Sequence, residues 1–407
     1  MKNKTILILG GGVGGLVTAN ELRHRLSDEH RIILIDRQDK HLHNPSLLWL
    51  MLGWREPTQI QAGLGHLTHQ GVEFVQADIL SIDPEARKVQ TSSGEFSGDY
   101  LVVSLGAQPM PELTPGFSDA ALTPYTLIEA TRLRDALNEF KGGRIVVAIT
   151  GLPYKCPAAP YETAIMIHSY LRKRRLLEKT DLQMVSPEEM PMGTAGPAMA
   201  LAVKTMLTER NIPYLPLTNT KSIDADAHEL VLEGGERIPF DLLVGIPPHR
   251  SPNVVLNSGL ANDAGWIPVD AKTLETKFEG VYALGDVTII PLPGRFNPDK
   301  PLVLPKAGVF AHKQAEVIAN NLAYEITGNG KAKSFDGLGG CFIELGDGRA
   351  GYGAGNFYAI QAPDVTLHPP AKHWHWVKEI IEKYWLWRWF SMGPQIVKTI
   401  GDKILFR

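Results

Sequence analysis

The sequence predicts an α/β protein with two Rossmann-like dinucleotide-binding domains, the second inserted in the first, and an amphipathic helical region at its C-terminal end. Three observations support this prediction. A glycine-rich loop follows the first apolar run, a second buried-strand pattern occupies residues 144–150, and five of the eight tryptophans fall between Trp374 and Trp389. Strands that alternate with helices in this way are typical of parallel sheets covered by helices.

Length and composition limit the classes of protein to consider. A chain of 407 residues is long enough for two or three domains. A formal charge of −3 gives no indication of nucleic acid as a partner. The sequence has no apolar stretch of the roughly 20 residues that cross a bilayer, and a strand at Thr5 leaves no room for a signal peptide. With only two cysteines, we expect neither a disulfide scaffold nor a bound metal.

The N-terminal segment has the order of elements that binds a dinucleotide. The apolar run Thr5–Leu9 predicts a buried parallel strand, residues 16–26 a helix, and residues 31–35 a second strand that ends at Asp36. Between the first strand and the helix lies a G-x-G-x-x-G fingerprint, formed by Gly10, Gly12 and Gly15. These glycines make the turn, admit a pyrophosphate and let the helix pack on the strand, while Asp36 can bind a ribose hydroxyl.

Two distant segments favour FAD over a nicotinamide cofactor. Residues 99–106 and 280–286 resemble the FAD motifs of the pyridine-nucleotide-disulfide oxidoreductase superfamily, in which an aspartate meets the ribityl and pyrophosphate region. A helical run over residues 306–322 fits the helix that faces the pyrimidine end of the flavin. The resemblance implies that these segments contribute the FAD-binding residues Gly106, Gly285, Asp286 and Lys306.

The same resemblance implies the domain organisation. The FAD-binding domain comprises residues 1–108 and 250–325, and the second Rossmann-like domain, residues 109–249, is inserted between these halves. Residues 326–372 form a segment on the redox and quinone side. Residues 373–407 form amphipathic, membrane-anchoring helices.

The second nucleotide loop lacks the glycine fingerprint. It follows the strand predicted at residues 144–150 and reads GLPYKCPAAPYE over residues 151–162. Leu152 and Pro153 remove backbone donors and the close approach that a pyrophosphate needs, so we expect no NAD(P)H at this loop. The electrons must therefore come from another donor.

The two cysteines, Cys156 and Cys341, lie beside proline or glycine breaks. This position predicts that both are on loops and serve redox chemistry, the alternative being burial as small hydrophobic residues. Residues 155–162, KCPAAPYE, resemble the signature of sulfide:quinone oxidoreductases and of the flavoprotein subunit of flavocytochrome c sulfide dehydrogenases. The resemblance implies that the cysteines face each other across the flavin and carry a sulfur bridge. It makes Glu162 a proton acceptor, the alternative being a solvated acid in the first turn of a helix.

In the activity that the resemblance implies, hydrosulfide attacks the sulfur bridge, two electrons enter FAD, and sulfur leaves as a growing polysulfide. A membrane quinone then takes the electrons. Residues 123–130 contain neither the third cysteine nor the histidine of better-known family members, so we expect FAD to be bound non-covalently. Residues 191–197 also lack a histidine that many members carry.

The tail has the composition of a helix that lies in a membrane interface. On a helix, Trp376 and Ile380 share an apolar stripe, whereas Lys378 and Glu382 fall largely on the other side. A second apolar pattern follows over residues 396–405. Tryptophan-rich amphipathic helices with basic flanks lie at membrane surfaces, where a quinone-reducing enzyme must bind. A dimerisation or core-covering helix is the alternative.

We therefore expect a monotopic flavoprotein on a prokaryotic membrane, with sulfide, a membrane quinone and the lipid surface as partners and a homo-oligomer left open. The aromatic candidates for holding the quinone, for each of which core packing is an equal alternative, are Phe342, Tyr352 and Phe357. Three rival functions remain: a type II NADH:quinone oxidoreductase, a flavocytochrome-type sulfide dehydrogenase flavoprotein, and a non-enzymatic flavin sensor. The first of these rivals requires the glycine fingerprint that the second loop lacks.

Overall fold

The computed structural model describes residues 3–391 together with residues 393, 398 and 401. One parallel sheet consists of β1 (Thr5–Leu9), β2 (Arg31–Asp36), β5 (Glu73–Gln76), β9 (Tyr100–Val103) and β21 (Val281–Ala283). Its order is β21-β9-β1-β2-β5, and Ile6 pairs with both Ile32 and Tyr100. Because helices and loops cover both faces, the central strand β1 is an almost continuous apolar run.

A second parallel sheet is built from the chain between β9 and β21. It consists of β11 (Ala121–Leu122), β12 (Gly143–Ile149), β13 (Thr180–Val185), β14 (Tyr214–Leu215) and β18 (Leu242–Ile246). Its order is β11-β18-β12-β13-β14. The predicted α/β class with two parallel sheets is confirmed, while the exact domain boundaries stay predictions.

Smaller antiparallel sheets surround these two. Two have three strands each: β6 (Ile79–Asp83), β7 (Lys88–Thr91) and β8 (Gly94–Ser97), and β15 (Thr220–Asp224), β16 (Glu229–Leu232) and β17 (Arg237–Pro239). The two-stranded pairings are β3 (Lys40–Leu42) with β4 (Gln61–Gly63), and β10 (Gln108–Pro109) with β19 (His249–Arg250). A further pair is parallel and joins β20 (Ile267–Pro268) to β22 (Thr288–Ile289).

The last sheet contains the second cysteine. It consists of β23 (Leu338–Glu344), β24 (Ala350–Asn356) and β25 (Asp364–Ala371), and Cys341 pairs with Gly353. The prediction of a loop at Cys341 is therefore wrong, although Cys156 does lie on a loop. The glycines that indicated a break serve close packing instead: a Cβ at Gly339 would lie 2.3 Å from the Phe310 ring.

The α-helices of the described residues are α1 (Val13–Arg25), α2 (Leu47–Leu50), α3 (Phe117–Ala120), α4 (Leu127–Glu139), α5 (Ala159–Lys173), α6 (Pro197–Thr208), α7 (Asn253–Leu256), α8 (Gly308–Thr327) and α9 (Lys372–Phe390). Helices α1 and α8 pack together on the first sheet, and Trp385 and Trp389 of α9 are buried in the same core. Over the described residues, no helix is both long and apolar enough to cross a membrane.

Helix α9 differs from its predicted polarity. Lys378 and Glu382, which were expected on the polar outer side, are 8% and 3% exposed, whereas Trp376 and Ile380 are 58% and 53% exposed. The charged residues face inward because Lys378 pairs with Glu162 of α5 and Glu382 pairs with Arg55, which lies between α2 and β4. The apolar pattern predicted over residues 396–405 lies outside the described residues, apart from Lys398 and Gly401.

Candidate active site

The glycine fingerprint forms the turn between β1 and α1. Gly10 has φ +100°, a value that favours glycine, and a Cβ at Gly15 would lie 1.8 Å from the carbonyl oxygen of Gly10. Gly12 is the N-cap of α1, no side chain caps the helix there, and a Cβ on Gly12 would meet no atom within 4 Å. Asp36 accepts hydrogen bonds from the backbone N–H groups of Gly11 at 2.5 Å and Gln38 at 2.7 Å.

A second part of the cleft follows β21. Gly285 has φ +74°, and Asp286 beside it has a buried Oδ1 atom without a hydrogen-bond partner. Burial raises the pKa of Asp286. The Lys306 ammonium donates to the Asp286 carbonyl at 2.7 Å and lies 3.3 Å from the centre of the Trp266 ring. Burial lowers the pKa of Lys306 to about 8.

These two parts of the cleft fit a dinucleotide cofactor. The open space at Gly12, at the positive end of α1, suits a pyrophosphate. The unpartnered Oδ1 of Asp286 suits a ribityl hydroxyl, because a buried acceptor without a donor costs free energy. Gly106, which has φ +66° after β9, also has no atom within 4 Å of a built Cβ.

The two cysteines meet although 185 positions separate them. The thiols of Cys156 and Cys341 interact directly, and this interaction raises the pKa of Cys156 and lowers the pKa of Cys341. Cys341 is thus the more acidic thiol of the pair. Cys156 has φ +56°, and its N–H donates to the Lys306 carbonyl at 2.7 Å, which ties the cysteine loop to the cofactor cleft.

Glu162 lies in the first turn of α5 but is 2% exposed, so the alternative of a solvated acid is wrong. Its Oε1 accepts from the Glu344 N–H at 2.8 Å and from the Lys378 ammonium at 3.1 Å. Burial raises the pKa of Glu162, and Lys378 opposes this rise. The side chain is thus a buried carboxylate with a cation beside it, close to both cysteines.

Helix α9 supplies the cations of this site. Although burial lowers the pKa of Lys378, Glu162 and Glu344 raise it above its ordinary value. His375 binds Glu344 through Nδ1 at 2.9 Å, and this hydrogen bond raises the pKa of the histidine. The arrangement places the Lys378 ammonium and the His375 imidazole beside the carboxylates of Glu162 and Glu344.

Further contacts fasten α9 to β3 and to the chain between β3 and β4. Arg55 binds Glu382 at 2.8 Å, and the Trp385 indole N–H donates to His41 Nε2 at 3.0 Å. His41 Nδ1 lies 2.9 Å from the Gly11 carbonyl oxygen, so one histidine joins the helix to the glycine-rich turn. Burial lowers the pKa of His41 to about 4, which keeps the ring neutral.

Sequence reasoning missed the residues that α9 and its neighbours bring to the site: His41, Arg55, His375 and Lys378. One signal was present in the sequence. Positions 378, 382, 385 and 389 follow the spacing of one helical stripe, so the two buried tryptophans share a face with Lys378 and Glu382. A charged residue aligned with core tryptophans indicates a buried ion pair.

The structure separates the three quinone candidates. The Phe342 and Tyr352 rings lie 4.9 Å apart, and Trp374 of α9 lies 5.0 Å from Tyr352. Phe357 is not with them, because it packs on Phe310 at 5.1 Å in the core beneath α8. An aromatic cluster therefore forms where β23, β24 and α9 meet.

The second nucleotide loop is occupied by the protein itself. Glu188 follows β13, where an acidic residue of a Rossmann unit binds ribose. Here its Oε2 accepts from the hydroxyls of Tyr154 at 2.7 Å and Tyr161 at 2.5 Å. Both tyrosines, from the cysteine loop and α5, therefore bind the carboxylate that would otherwise face a ribose.

Comparisons with known proteins show the family of this chain. The sequence model of the pyridine nucleotide-disulphide oxidoreductase family matches residues 4–315. The chain is 28% identical over 422 residues to the sulfide-quinone reductase of Aquifex aeolicus, covering 99% of this chain and 94% of that protein. It is 27% identical over 299 residues to the mitochondrial sulfide:quinone oxidoreductase of Mus musculus, covering 70% of this chain and 66% of that protein. The X-ray structure of the Aquifex aeolicus sulfide:quinone oxidoreductase has a TM-score of 0.87 and 26% identity, covering 99% of this chain and 96% of that chain.

Proposed function

Because this chain belongs to the pyridine nucleotide-disulphide oxidoreductase family, we propose that it oxidises sulfide and reduces a quinone with the help of bound FAD. The observation that carries the proposal is the interacting pair of Cys156 and Cys341, held beside the buried Glu162 and tied to the cofactor cleft. The full-length likeness to sulfide:quinone oxidoreductases supports the same activity.

FAD, when bound, supplies the two-electron acceptor that connects sulfide to the quinone. Gly12 and the N-terminal end of α1 would hold its pyrophosphate, Asp36 a ribose hydroxyl and Asp286 the ribityl chain. The backbone at Gly106 leaves room for the ring system. We propose non-covalent binding, because no cysteine lies near residues 123–130 in the sequence.

The cysteine pair carries the sulfur chemistry. When the two sulfurs are bridged, hydrosulfide attack forms one S–S bond and breaks another, which leaves a persulfide on one cysteine and a thiolate on the other. Cys341 suits the thiolate, because its hydrogen bond to Cys156 and the nearby Lys378 ammonium lower its pKa. Re-forming the bridge through the added sulfur is a two-electron oxidation, for which bound FAD would be the electron acceptor.

Glu162 is proposed to take the proton that hydrosulfide loses. The overall reaction of hydrosulfide, quinone and one proton gives sulfur at the zero oxidation level and a quinol, so the sulfide side releases one proton and the quinone side takes two. Burial raises the pKa of Glu162 above its ordinary value, which makes the carboxylate a stronger base. Lys378 compensates the charge that remains when the proton has left.

The acceptor side is proposed to lie at the outer face of α9. Trp376, Ile380 and Trp387 are exposed there, and such a stripe suits the interface of a lipid bilayer. The aromatic cluster of Phe342, Tyr352 and Trp374 lies at the start of the same helix. A quinone that enters from the membrane would meet this cluster first.

Anaerobic mixing tests the proposal. Sulfide should bleach the absorbance of the bound flavin rapidly, and a short-chain quinone should restore it. NADH at the same concentration should bleach the flavin far more slowly, since the hydroxyls of Tyr154 and Tyr161 already donate to the Glu188 carboxylate that would otherwise bind its ribose. Rapid bleaching by NADH without bleaching by sulfide would refute the proposal and favour a type II NADH:quinone oxidoreductase.

A further inference from the structure

His249 is a fully buried histidine that the proposed mechanism does not use. Its Nδ1 lies 2.9 Å from the Pro247 carbonyl oxygen, and its Nε2 is buried without a hydrogen-bond partner. Because a carbonyl oxygen only accepts, Nδ1 carries the hydrogen and Nε2 presents a free lone pair. A buried acceptor of this kind costs free energy unless a ligand donates to it.

The imidazole is fastened to the loop that presents Cys156. The His249 backbone N–H donates to the Pro153 carbonyl at 2.7 Å. The ring packs edge-on against Tyr125, with 4.9 Å between the ring centres, and the Tyr125 hydroxyl donates to the Lys155 carbonyl at 2.9 Å. Two contacts thus fix the ring beside the residues that immediately precede Cys156.

The charges around this histidine favour an anion. Burial and the two ammonium groups of Lys155 and Lys306 hold the pKa of His249 at about 3, so the ring is neutral. Cys156 donates its N–H to the Lys306 carbonyl, which places both lysines at the cysteine loop. A neutral acceptor with two ammonium groups near it suits a small anion that carries a single hydrogen. Hydrosulfide has this chemistry.

We propose that His249, Tyr125 and Lys155 form the site where hydrosulfide binds before it reaches Cys156, with its S–H group donating to Nε2 of His249. The inference rests on the proposed function and extends it to the substrate-binding site. The proton stays on sulfur at this stage and leaves only when the anion meets the cysteine pair. His249 therefore binds and orients the substrate without acting as a base.

Two substitutions distinguish the roles of the two ring nitrogens of His249. In His249→Gln the amide oxygen reaches the position of Nε2, whereas in His249→Asn the side chain reaches only the position of Nδ1. The rate of flavin reduction is measured in the holoenzyme over a series of sulfide concentrations. The half-saturating concentration should rise about tenfold or more in His249→Asn, since a hydrogen bond to a charged group is lost, with the limiting rate little changed. It should stay near the wild-type value in His249→Gln and in the control His228→Asn, which changes an exposed histidine between β15 and β16.

A second measurement does not depend on turnover. In the FAD-loaded Cys156→Ser protein with ¹⁵N-labelled histidine, addition of sulfide should shift the Nε2 resonance of His249. An unshifted resonance, or an unchanged half-saturating concentration in His249→Asn, would overturn the inference. An altered flavin spectrum in His249→Asn, together with a normal half-saturating sulfide concentration, would also overturn the inference, because the imidazole would then face the cofactor. A wild-type protein whose flavin sulfide cannot reduce would instead refute the proposed function.

Discussion

Removal of the Lys378 ammonium tests whether α9 belongs to the sulfide site. In Lys378→Met the Glu162 carboxylate loses a partner at 3.1 Å while both side chains are almost fully buried. Coulomb's law with an effective dielectric constant of about 20 gives about 5 kcal/mol for this separation. Loss of one partner of a buried pair costs about 3–5 kcal/mol. We therefore expect the free energy of unfolding in urea to fall by about that amount.

The same substitution should change the pH dependence of the reaction. Lys378 helps to lower the pKa of the Cys341 thiol and opposes the rise in the pKa of Glu162. Without the cation both pKa values rise, so the thiolate and the carboxylate form only at higher pH. The acid limb of the rate of flavin reduction by sulfide should move upward by about one pH unit or more.

A control and a compensating variant complete the experiment. Lys383→Met removes an exposed lysine from the same helix and should change neither stability nor the pH profile. Lys378→Met combined with Glu162→Gln should regain much of the lost stability, since no unpaired charge remains buried, yet it should stay slow with sulfide. If Lys378→Met behaves like Lys383→Met in both assays, the buried ion pair has no functional role.

Two further changes test the cysteine pair and the cofactor cleft. Cys156→Ser and Cys341→Ser should each keep the fold and the flavin but lose sulfide oxidation by about 100-fold or more, measured as quinone reduction; near-normal activity would make that cysteine a structural residue. Asp286→Leu removes the unpartnered Oδ1 and should weaken FAD binding about tenfold or more in a titration of the apoprotein, and unchanged affinity would place the ribityl chain elsewhere.

The residues that sequence analysis predicted lie in contiguous motifs. The turn at Gly10 and the buried strand before it can be predicted, because the geometry of a strand, a turn and a helix depends on residues that are neighbours in the sequence. Cys156 lies on the loop before α5 and Glu162 lies in the first turn of that helix, so one short segment of sequence predicts both residues. The pairing of these residues with Cys341 came from the resemblance, since a distance of 185 positions leaves no pattern of spacing.

The error at Cys341 has a tertiary cause. Consecutive glycines predict a break, because they lose more conformational entropy in a strand than other residues do. In the structure Gly339 and Gly340 lie against Phe310 and Tyr352: a Cβ would lie 2.3 Å from the Phe310 ring at Gly339 and 2.4 Å from the Tyr352 hydroxyl oxygen at Gly340. Close packing of rings on the strand therefore outweighs the local preference. No single-sequence pattern contains that information.

Helix α9 presents one apolar face to the core and another to the outside, so deleting it and trimming it should have different effects. Trp385 and Trp389 are 5% and 1% exposed. If each buries about 200 Å² at about 25 cal/mol per Å², together they contribute up to about 10 kcal/mol, which is comparable to the stability of a whole domain. A chain that ends at residue 371 also loses Lys378. We expect that truncated protein to aggregate or to lose FAD.

Trimming the outer face should instead leave the sulfide site intact. The double variant Trp376→Ala and Trp387→Ala removes exposed rings while keeping Lys378, Trp385 and Trp389 in place. Its flavin should be reduced by sulfide at the wild-type rate, whereas its flotation with liposomes and its reduction of a long-chain quinone should both decrease. A truncated chain that remains soluble, holds FAD and reacts normally with sulfide would show that α9 only anchors the protein. Because Lys378 and Glu382 are paired inward from the same helix, we expect the anchor and the redox site to depend on one another.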